Sequence, residues 1–278
     1  MGKFTGMLFS SDFDHTISDH HGKVAQANLD AIEYFIANGG RFCLNTGRSI
    51  PLARKRALEI PCNVPCLLYN GAACYDYRTD ELLFVHALPE FAETLPTLLQ
   101  EEDLCFEVQG IDGHYSPTEN PSRAPFLRKE GVEPICTENI PKPWIKLVLC
   151  GRYGTISERY SDVNPKELQR FEALREKVRA LCAGQCYVTA SLPRVIEISN
   201  PDCNKGEGAK RLARELGCER LICAGDAPND AQMLKMADFA FCPSDASPEI
   251  LALPNIIATV PAAEGAIAHA IAHLDNLF

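Results

Sequence analysis

Two carboxylates stand two positions apart near the N-terminus, in the segment Asp12-Phe13-Asp14-His15-Thr16. They follow the short apolar run 7–10, which predicts a buried strand. Carboxylates this close raise each other's pKa, so the pair needs a compensating positive charge. A divalent cation supplies such a charge, and Mg²⁺ prefers oxygen ligands. The spacing therefore indicates part of a magnesium site.

Polar side chains also follow three other predicted strands, at residues 41–44, 66–69 and 221–224. In chain order they are Asn45, Thr46 and Arg48, then Asn70 with Gly71, then Gly225 and Asp226 with Asn229 and Asp230. Each group alone is typical of a turn or a helix cap. In an open parallel sheet, however, ligands bind beyond the carboxyl ends of the strands. Four such ends carrying polar groups favour a functional site over four unrelated turns.

A positive charge completes this pattern. Lys205 begins a predicted helix, Thr46 offers a hydroxyl group, and Gly47 leaves a backbone N–H accessible. Together with the Asp226 carboxylate, these groups predict an acidic metal site that has a cationic, hydrogen-bonding rim. Such a combination suits a phosphoryl group, because its oxygens bind both a metal ion and hydrogen-bond donors.

Strand and helix patterns alternate in the first and last thirds of the chain. Apolar residues recur at helical spacing in five segments, 25–38, 50–58, 205–216, 230–237 and 262–274. Short apolar runs separate these segments, and two more of them stand at 239–242 and 256–259. The alternation predicts an α/β fold whose core is a doubly wound, Rossmann-like parallel sheet.

The middle third differs, because six prolines interrupt it between residues 117 and 143 and its strands look antiparallel. Residues 165–181 have the pattern of a long, charged amphipathic helix. Strand patterns stand at 144–150, 187–190 and 195–199. We therefore predict an α+β cap domain at 87–198, inserted into a core domain that is formed by 1–86 and 199–278.

The strand at 144–150 alternates apolar and polar residues, so one face should pack against the long helix. The apolar residues of that face are Ile145, Leu147 and Leu149. Lys146 then points to an opposite, open polar face, together with Thr189 of a neighbouring strand. Both are candidate substrate contacts of the cap, although a solvated strand lysine explains Lys146 equally well.

The composition excludes several classes of protein. The net charge of −10 disfavours binding to nucleic acid or to an anionic membrane. No segment has the length of a membrane-spanning helix or the pattern of a signal peptide. Thirteen cysteines, an odd number spread through apolar runs, are typical of free thiols in a reducing compartment. We expect a cytoplasmic protein that binds neither nucleic acid nor membrane, and nothing implies a protein partner.

Taken in order, these segments resemble the four motifs of the haloacid dehalogenase-like (HAD) hydrolase superfamily. The resemblance rests on Asp12-x-Asp14-x-Thr16, Asn45-Thr46-Gly47-Arg48, Lys205 and Gly225-Asp226-x-x-Asn229-Asp230. Three further features resemble the Cof-type (subfamily IIB) phosphatases. They are the long insert, the segment Asn70-Gly71-Ala72 and the segment Glu197-Ile198. That family consists mostly of Mg²⁺-dependent phosphatases of small phosphorylated metabolites, often sugar phosphates. The resemblance implies a catalytic core with a cap that selects the substrate.

The resemblance also implies a role for each motif residue. Asp12 would be the nucleophile that forms an aspartyl-phosphate, and Asp14 the general acid and then the general base. Asp230 would orient the metal site or Lys205. Mg²⁺ would be bound by the Asp12 carboxylate, the Asp14 backbone carbonyl and Asp226. The phosphoryl group would be bound by Thr46, Gly47, Arg48, Lys205 and Asn229.

Two residues depart from the family pattern. His15 stands where Gly is most common, and Asp245 stands where Asn is usual. We expect His15 to pack at the mouth of the site and Asp245 to change the hydrogen bonding beneath it. His20-His21 indicates a solvated loop rather than a metal pair, because adjacent residues rarely bind one ion. Arg48 is equally compatible with a phosphate contact and with a surface ion pair.

Three functions fit these motifs to different degrees. The preferred one is a phosphatase that hydrolyses a small phosphorylated metabolite with Mg²⁺ as cofactor. A phosphomutase or another phosphotransferase on the same fold stays open, because the motifs do not separate transfer from hydrolysis. A phosphoaspartate signalling module is less favoured, since a receiver domain is much shorter, has no cap and carries its aspartate on a later strand.

Overall fold

The computed structural model describes residues 2–152 and 163–278. Contacts between Cα atoms divide the chain into two compact units. The first unit comprises Met1–Gly47, Arg56–Phe84 and Asn204–Phe278, and the second comprises Arg48–Lys55 and Val85–Cys203. The long segment of the second unit, Val85–Cys203, has nearly the bounds predicted for the insert, 87–198. The short segment Arg48–Lys55 belongs to the same unit.

A five-stranded parallel sheet forms the centre of the first unit. In spatial order its strands are β14 (Ile256–Ala258), β13 (Phe239–Cys242), β12 (Arg220–Ala224), β1 (Met7–Ser11) and β2 (Arg41–Leu44). Every residue of β1 is buried, and Ser11 at its end lies beside both Ala224 and Leu44. Asp12 therefore leaves the sheet between two neighbouring strand ends.

Helices cover both faces of this sheet. On one face, Phe35 of α1 (Gln26–Ala37) contacts Phe9 of β1, and α9 (Ala266–Leu277) packs beside α1. On the other face, Leu8 of β1 shares an apolar core with two further helices. They are α6 (Lys205–Glu215) and α7 (Ala231–Met236). The predicted doubly wound α/β core is confirmed.

Some predicted helices differ from the structure in their bounds. The segment 262–274 is a 3₁₀ turn at Ala262–Glu264 followed by α9, because Gly265 between them has a φ of +94°. The segment 230–237 begins as a 3₁₀ turn at Pro228–Asp230, before α7. The helix expected at 50–58 is α2 (Ile50–Glu59), and the short helix α8 (Pro248–Leu251) was not predicted.

The strand β3 (Cys66–Leu68) does not join the parallel sheet as a full member, contrary to the expectation. It pairs with β4 (Ala73–Asp76) in an antiparallel sheet that β5 (Glu81–Val85) completes. A single parallel bridge joins Asn45 to Leu67 and keeps the end of β3 beside the end of β2. The residues that follow β3 therefore still reach the edge where the other loops meet.

The second unit contains a six-stranded sheet. In spatial order its strands are β10 (Tyr187–Thr189), β11 (Val195–Ser199), β9 (Lys146–Gly151), β6 (Leu104–Gln109), β7 (His114–Ser116) and β8 (Ile135–Cys136). Its helices in the described part of the insert are α3 (Leu95–Leu98), α4 (Ala124–Lys129) and α5 (Pro165–Cys182). The α+β character is confirmed, but β6, β7 and β8 were not predicted.

The two faces of this second sheet differ in polarity. Leu147 and Leu149 of β9 lie in an apolar core with Phe171 of α5, as their alternation predicted. The opposite face is polar, but it is buried rather than open, since Lys146 is 1% and Thr189 is 4% exposed. The interpretation of Lys146 as a solvated strand lysine is therefore wrong.

Two expectations from composition can be compared with the structure. The cysteines all have free thiols, and most of them are buried. Across residues 2–152 and 163–278, we find no helix with both the length and the apolar character needed to cross a membrane.

Candidate active site

Three loops meet at the carboxyl ends of β12, β1 and β2. The N–H of Asp12 donates to the Ala224 carbonyl at 2.9 Å, and the N–H of Asn45 donates to the Ser11 carbonyl at 2.7 Å. These bonds continue the sheet register by one residue on each side. Asp226 lies two positions beyond the end of β12, so the register brings it to the same edge as Asp12.

Lys205 lies between two carboxylates. Its Nζ donates to Asp12 Oδ1 at 2.5 Å and to Asp230 Oδ1 at 2.7 Å, and all three side chains are buried. Lys205 is the first residue of α6, and Asn204 caps this helix by accepting a hydrogen bond from the Glu207 N–H. The cap fixes where the helix begins, and so it fixes where the lysine side chain starts.

Both carboxylate oxygens of Asp230 are engaged. Oδ1 accepts from Lys205, while Oδ2 accepts from the backbone N–H groups of Asp226 and Ala227, each at 3.0 Å. Gly225 permits this approach, because a Cβ at that position would lie 2.4 Å from the Cγ of Asp230. Asp230 therefore holds both Lys205 and the loop that carries Asp226.

Three buried carboxylates, which we call the acidic cluster, gather at this edge: Asp12, Asp226 and Asp230. Each places one oxygen within 4.8 Å of the others. Thr16 donates its hydroxyl to Asp226 Oδ1 at 3.0 Å. Asp14 is only partly buried and is not a member of this group. Its side chain therefore lies outside the acidic cluster.

The charges of the acidic cluster do not balance. Burial, together with the Asp230 and Asp14 carboxylates, raises the pKa of Asp12 to about 7 despite the attraction of Lys205. Burial and the Asp12 and Asp230 carboxylates raise the pKa of Asp226 well above its ordinary value. Burial opposes the charge of Lys205, but the Asp12 and Asp230 carboxylates still raise its pKa, so it stays protonated. An additional cation would relieve the excess negative charge.

The Thr46 loop and the Asn70 turn are joined by backbone hydrogen bonds. Thr46 N–H donates to the Leu67 carbonyl at 2.9 Å, and Asn70 N–H donates to the Thr46 carbonyl at 3.1 Å. The Asn70 side chain then accepts from Asn229 Nδ2 at 3.0 Å. Within the described residues, the buried Asn229 Oδ1 has no hydrogen-bond partner. Such acceptors are rare in folded proteins, so this oxygen is suited to bind a ligand or water.

The donor set of the acidic cluster fits Mg²⁺. It consists of carboxylate oxygens alone, which is the ligand type this ion takes in proteins. Both oxygens of Asp230 are occupied, whereas Asp12 and Asp226 each keep an Oδ2 that accepts no hydrogen bond in the described part of the chain. The raised pKa values of these two residues also indicate missing positive charge.

Three of the residues expected at the site belong to the second unit. Arg48 Nη1 donates to Glu130 Oε2 at 2.8 Å, and both side chains are buried. The expected surface ion pair is therefore wrong, because this pair is interior, while phosphate binding by Arg48 stays a prediction. Lys146 Nζ donates to Glu197 Oε1 at 2.8 Å, and Thr189 pairs with Glu197 across β10 and β11.

Sequence reasoning missed a second group of buried charges, which we call the Glu107 cluster: Glu107, His114 and Arg123. Glu107 Oε1 lies 2.8 Å from His114 Nδ1 and accepts from Arg123 Nη2 at 3.1 Å. Burial opposes ionisation, yet Arg123 and His114 hold the pKa of Glu107 well below its ordinary value. Alternation of Glu107 and Gln109 was the available indication, but the strand that carries them was not predicted.

Comparison with known proteins agrees with this geometry. The sequence matches the haloacid dehalogenase-like hydrolase family over residues 9–271. HMP-PP phosphatase of Cronobacter sakazakii is 32% identical over 273 residues, which cover 96% of this chain and 94% of that protein. A haloacid dehalogenase-like hydrolase from B. subtilis has a TM-score of 0.79 at 19% identity, covering 96% and 99% of the two chains. The subclass IIB sugar phosphatase BT4131 has a TM-score of 0.75 at 17% identity, covering 97% and 99%.

The chain belongs to the haloacid dehalogenase-like hydrolase family. The resemblance to this family is confirmed by the family match together with the relatives. The subclass IIB neighbour shows that the chain shares the fold of the Cof-type branch. Relatives that match nearly the whole chain are named phosphatases, so the enzyme class expected from the motifs is confirmed as well. At their low identity, the solved structures bear on the fold alone.

Proposed function

We propose that this chain is a Mg²⁺-dependent phosphatase that hydrolyses a small phosphorylated metabolite through an aspartyl-phosphate on Asp12. The observation that carries the proposal is the acidic cluster held by Lys205, in which the pKa values of Asp12 and Asp226 are both raised. A site with this excess of negative charge binds a cation, and the cation together with Lys205 then suits a phosphoryl group.

Asp12 is the group placed to attack phosphorus. One oxygen of its carboxylate forms the new bond, while Lys205 donates to Oδ1 and stabilises the carboxylate in place. As that bond forms, the bond from phosphorus to the leaving oxygen breaks. Asp14 donates a proton to the leaving oxygen, which departs as an alcohol. The Asp12 and Asp226 carboxylates and the Asp14 backbone carbonyl would hold Mg²⁺, whose charge would offset the repulsion between the phosphate and Asp12.

Hydrolysis of the aspartyl-phosphate uses the same two residues. Asp14, now a carboxylate, takes a proton from water while the water oxygen attacks phosphorus. The bond from phosphorus to the Asp12 carboxylate breaks, which releases inorganic phosphate and restores both side chains to their starting state. During both steps, Thr46, Lys205 and Asn229 hold the phosphoryl oxygens, with the Gly47 N–H as a further donor.

The substrate class is a small phosphorylated metabolite, with sugar phosphates first. Supporting this are a relative named HMP-PP phosphatase and a structural neighbour named sugar phosphatase. No observation in the described residues favours a phosphomutase or a phosphoaspartate signalling module over hydrolysis. Both alternatives differ from a phosphatase in the fate of the phosphoryl group, so the same assay separates them.

The test measures phosphate release from a panel of sugar phosphates, nucleotides and HMP-PP, with Mg²⁺ and after its removal by EDTA. We expect many turnovers with Mg²⁺ and none after EDTA. Asp12→Asn should lose at least about 10³-fold in kcat/KM, because the nucleophile is gone. Asp103→Asn is the matched control, since this carboxylate is exposed and pairs with Arg152 at the surface.

Three outcomes would contradict the proposal. Wild-type turnover by Asp12→Asn would show that Asp12 is not the nucleophile. Phosphate that reappears on an organic product rather than in solution would indicate a phosphomutase. Release that stops at one phosphate per protein would indicate a signalling module.

A further inference from the structure

The two residues that depart from the family pattern lie close together. His20 joins them, because its ring is edge-on to the His15 ring at a centroid distance of 4.4 Å, and its Nε2 lies 3.5 Å from Asp245 Oδ2. We call His15, His20 and Asp245 the His15 cluster, and all three belong to the first unit. His20 lies in a loop, as expected, but it is only partly exposed, whereas its neighbour His21 is exposed. The two departures therefore form one feature.

His15 has an unfavourable backbone conformation. Its φ is +61°, in the left-handed region that glycine adopts without steric cost and that other residues rarely adopt. A strained residue in a folded protein is often found where it serves a function. His15 directly follows Asp14, the residue that exchanges a proton with the leaving oxygen in the proposed reaction. The strained position therefore attaches an imidazole directly beside the residue proposed to act on the leaving oxygen.

The ring of His20 has unused hydrogen-bonding capacity. Neither of its two nitrogens, both buried, has a hydrogen-bond partner in the part of the chain that the structure describes. In that same part of the chain His15 makes no side-chain hydrogen bond either. Buried polar atoms without partners call for an explanation, and a ligand or ordered water is the usual one.

Backbone hydrogen bonds fix the supports of the His15 cluster. Asp245 Oδ1 accepts from the Ala262 N–H at 3.1 Å, which leaves Oδ2 facing His20. Asp19 Oδ1 accepts from the N–H groups of His21 and Lys23, at 2.8 Å and 2.9 Å, and so shapes the loop that carries His20. Asp245 thus faces His20, and His20 packs against the His15 ring.

We propose that His15, positioned by His20 and Asp245, binds a hydroxyl group of the leaving group beside the phosphate ester. A neutral imidazole offers one donor and one acceptor, and a hydroxyl group can pair with either. An aryl leaving group such as p-nitrophenol offers no such hydroxyl group. The proposal rests on the proposed phosphatase function, and it assigns hydroxylated substrates such as sugar phosphates to this site.

The test compares the best hydroxylated substrate of the panel with p-nitrophenyl phosphate. His15→Gly should fold well, because glycine adopts the required φ. For the hydroxylated substrate its KM should rise about three- to tenfold with little change in kcat, which is the loss of one hydrogen bond. Its kinetics on p-nitrophenyl phosphate should match those of the wild type.

Two further variants separate ligand binding from a structural role. His15→Asn should retain much of the selectivity, because Asn tolerates a left-handed φ and carries both a donor and an acceptor. Asp245→Asn should reduce the selectivity in the wild type but add nothing in the His15→Gly background, since both act through the same ring.

Equal losses on both substrates, or unchanged selectivity in His15→Gly, would overturn the proposal. A wild-type protein that hydrolyses p-nitrophenyl phosphate but no hydroxylated phosphate would overturn it as well. A wild-type protein that releases no phosphate from any substrate with Mg²⁺ would instead refute the phosphatase function, and this proposal with it.

Discussion

Each unit of the molecule buries a group of charged side chains, but the two groups are balanced differently. In the acidic cluster, three carboxylates face the single ammonium group of Lys205. In the Glu107 cluster, one carboxylate faces the Arg123 guanidinium and the His114 ring. The neighbouring pair of Lys146 and Glu197 is also matched in charge.

The consequence is opposite pKa shifts at similar burial. The pKa of Asp12 is raised to about 7, whereas that of Glu107 is held well below its ordinary value. Burial raises the pKa of both residues, so the difference comes from the charges around them. Burial of a carboxylate therefore does not by itself indicate a reactive site. A buried carboxylate that lacks positive charge around it is the better indication, and in the proposed function such carboxylates would bind the cation.

The largest expected effect concerns the site that contains the acidic cluster. Asp14→Asn should slow turnover of a sugar phosphate by about 10²–10⁴-fold, because Asn can neither donate nor accept the proton. An activated aryl phosphate needs no proton on its leaving group, so its first step should be partly rescued while the second stays slow. Rapid-quench measurement should then show a burst close to one equivalent, with phosphate held on Asp12.

Thermal unfolding of Asp14→Asn should resemble that of the wild type, because this side chain is only partly buried. Slow turnover without a trapped intermediate, together with equal losses on both kinds of leaving group, would rule out proton transfer by Asp14.

A second prediction concerns the Glu107 cluster, whose charges are balanced. Glu107→Gln should lower the free energy of unfolding by about 3–5 kcal/mol, because it leaves Arg123 buried without its carboxylate partner. Urea unfolding at neutral pH measures this change. Glu119→Gln is the control, since its ion pair with Arg128 is exposed and its loss should matter little. A mild effect of Glu107→Gln would mean that the buried charges are not mutually stabilising.

The stabilisation that Glu107 provides should depend on pH in a definite direction. The folded-state pKa of Glu107 lies below its ordinary value of 4.5, so its stabilisation is complete above that value and is lost as the pH falls through the folded-state pKa. The difference in unfolding free energy between wild type and Glu107→Gln should therefore be constant from neutral pH down to about 5 and shrink in more acidic solution. A difference that grows on acidification would contradict the lowered pKa.

The pair of Lys146 and Glu197 also tests whether buried charges of opposite sign stabilise each other. We expect a smaller net change in the free energy of unfolding when both are removed. Lys146→Met should destabilise the protein, because the buried Glu197 carboxylate then loses the ammonium group that it pairs with. The double variant Lys146→Met/Glu197→Met should recover most of that loss, since a matched pair of charges is removed together. Urea unfolding of the three variants completes a double-mutant cycle. An additive result would show that the two side chains do not act as a pair.

The double variant also tests Lys146 as a substrate contact without leaving a buried charge behind. If Lys146 contributes to recognition, the order of preference across the substrate panel should change. An unchanged order would leave Lys146 with a structural role only.

The smallest expected effect has the opposite sign and lies in the acidic cluster. Asp226→Asn should raise the Tm of the metal-free protein slightly, on the order of 2–4 °C, because it removes a like charge. Asn still accepts the hydrogen bond from Thr16. Mg²⁺ should raise the Tm of the wild type and have little effect on the variant. If Asp226→Asn destabilises the metal-free protein, the charges of the acidic cluster are not in excess, and the two clusters do not differ in charge balance.

Much of the first unit could be predicted because the information is local. Short apolar runs of strand length, each followed by polar residues, indicated the sheet edge that carries Asp12 and Asp226. The helix that begins at Lys205 was predicted from the spacing of its apolar residues, and the structure adds the Asn204 cap. Local patterns failed at Gly265, where a 3₁₀ turn gives way to an α-helix. They also failed at β3, which pairs in a small antiparallel sheet instead of joining the parallel one.

The sequence by itself determined the family, the doubly wound core and the residues at its strand ends, because periodicity and capping depend on neighbours in the chain. Tertiary structure alone decided which distant charges meet. It buried Lys146 against Glu197 and Arg48 against Glu130, and it brought His20 beside Asp245. Alternation says which face of a strand a side chain occupies, but not what lies opposite it. Whether a buried charge is balanced therefore depends on contacts between residues that are far apart in the sequence.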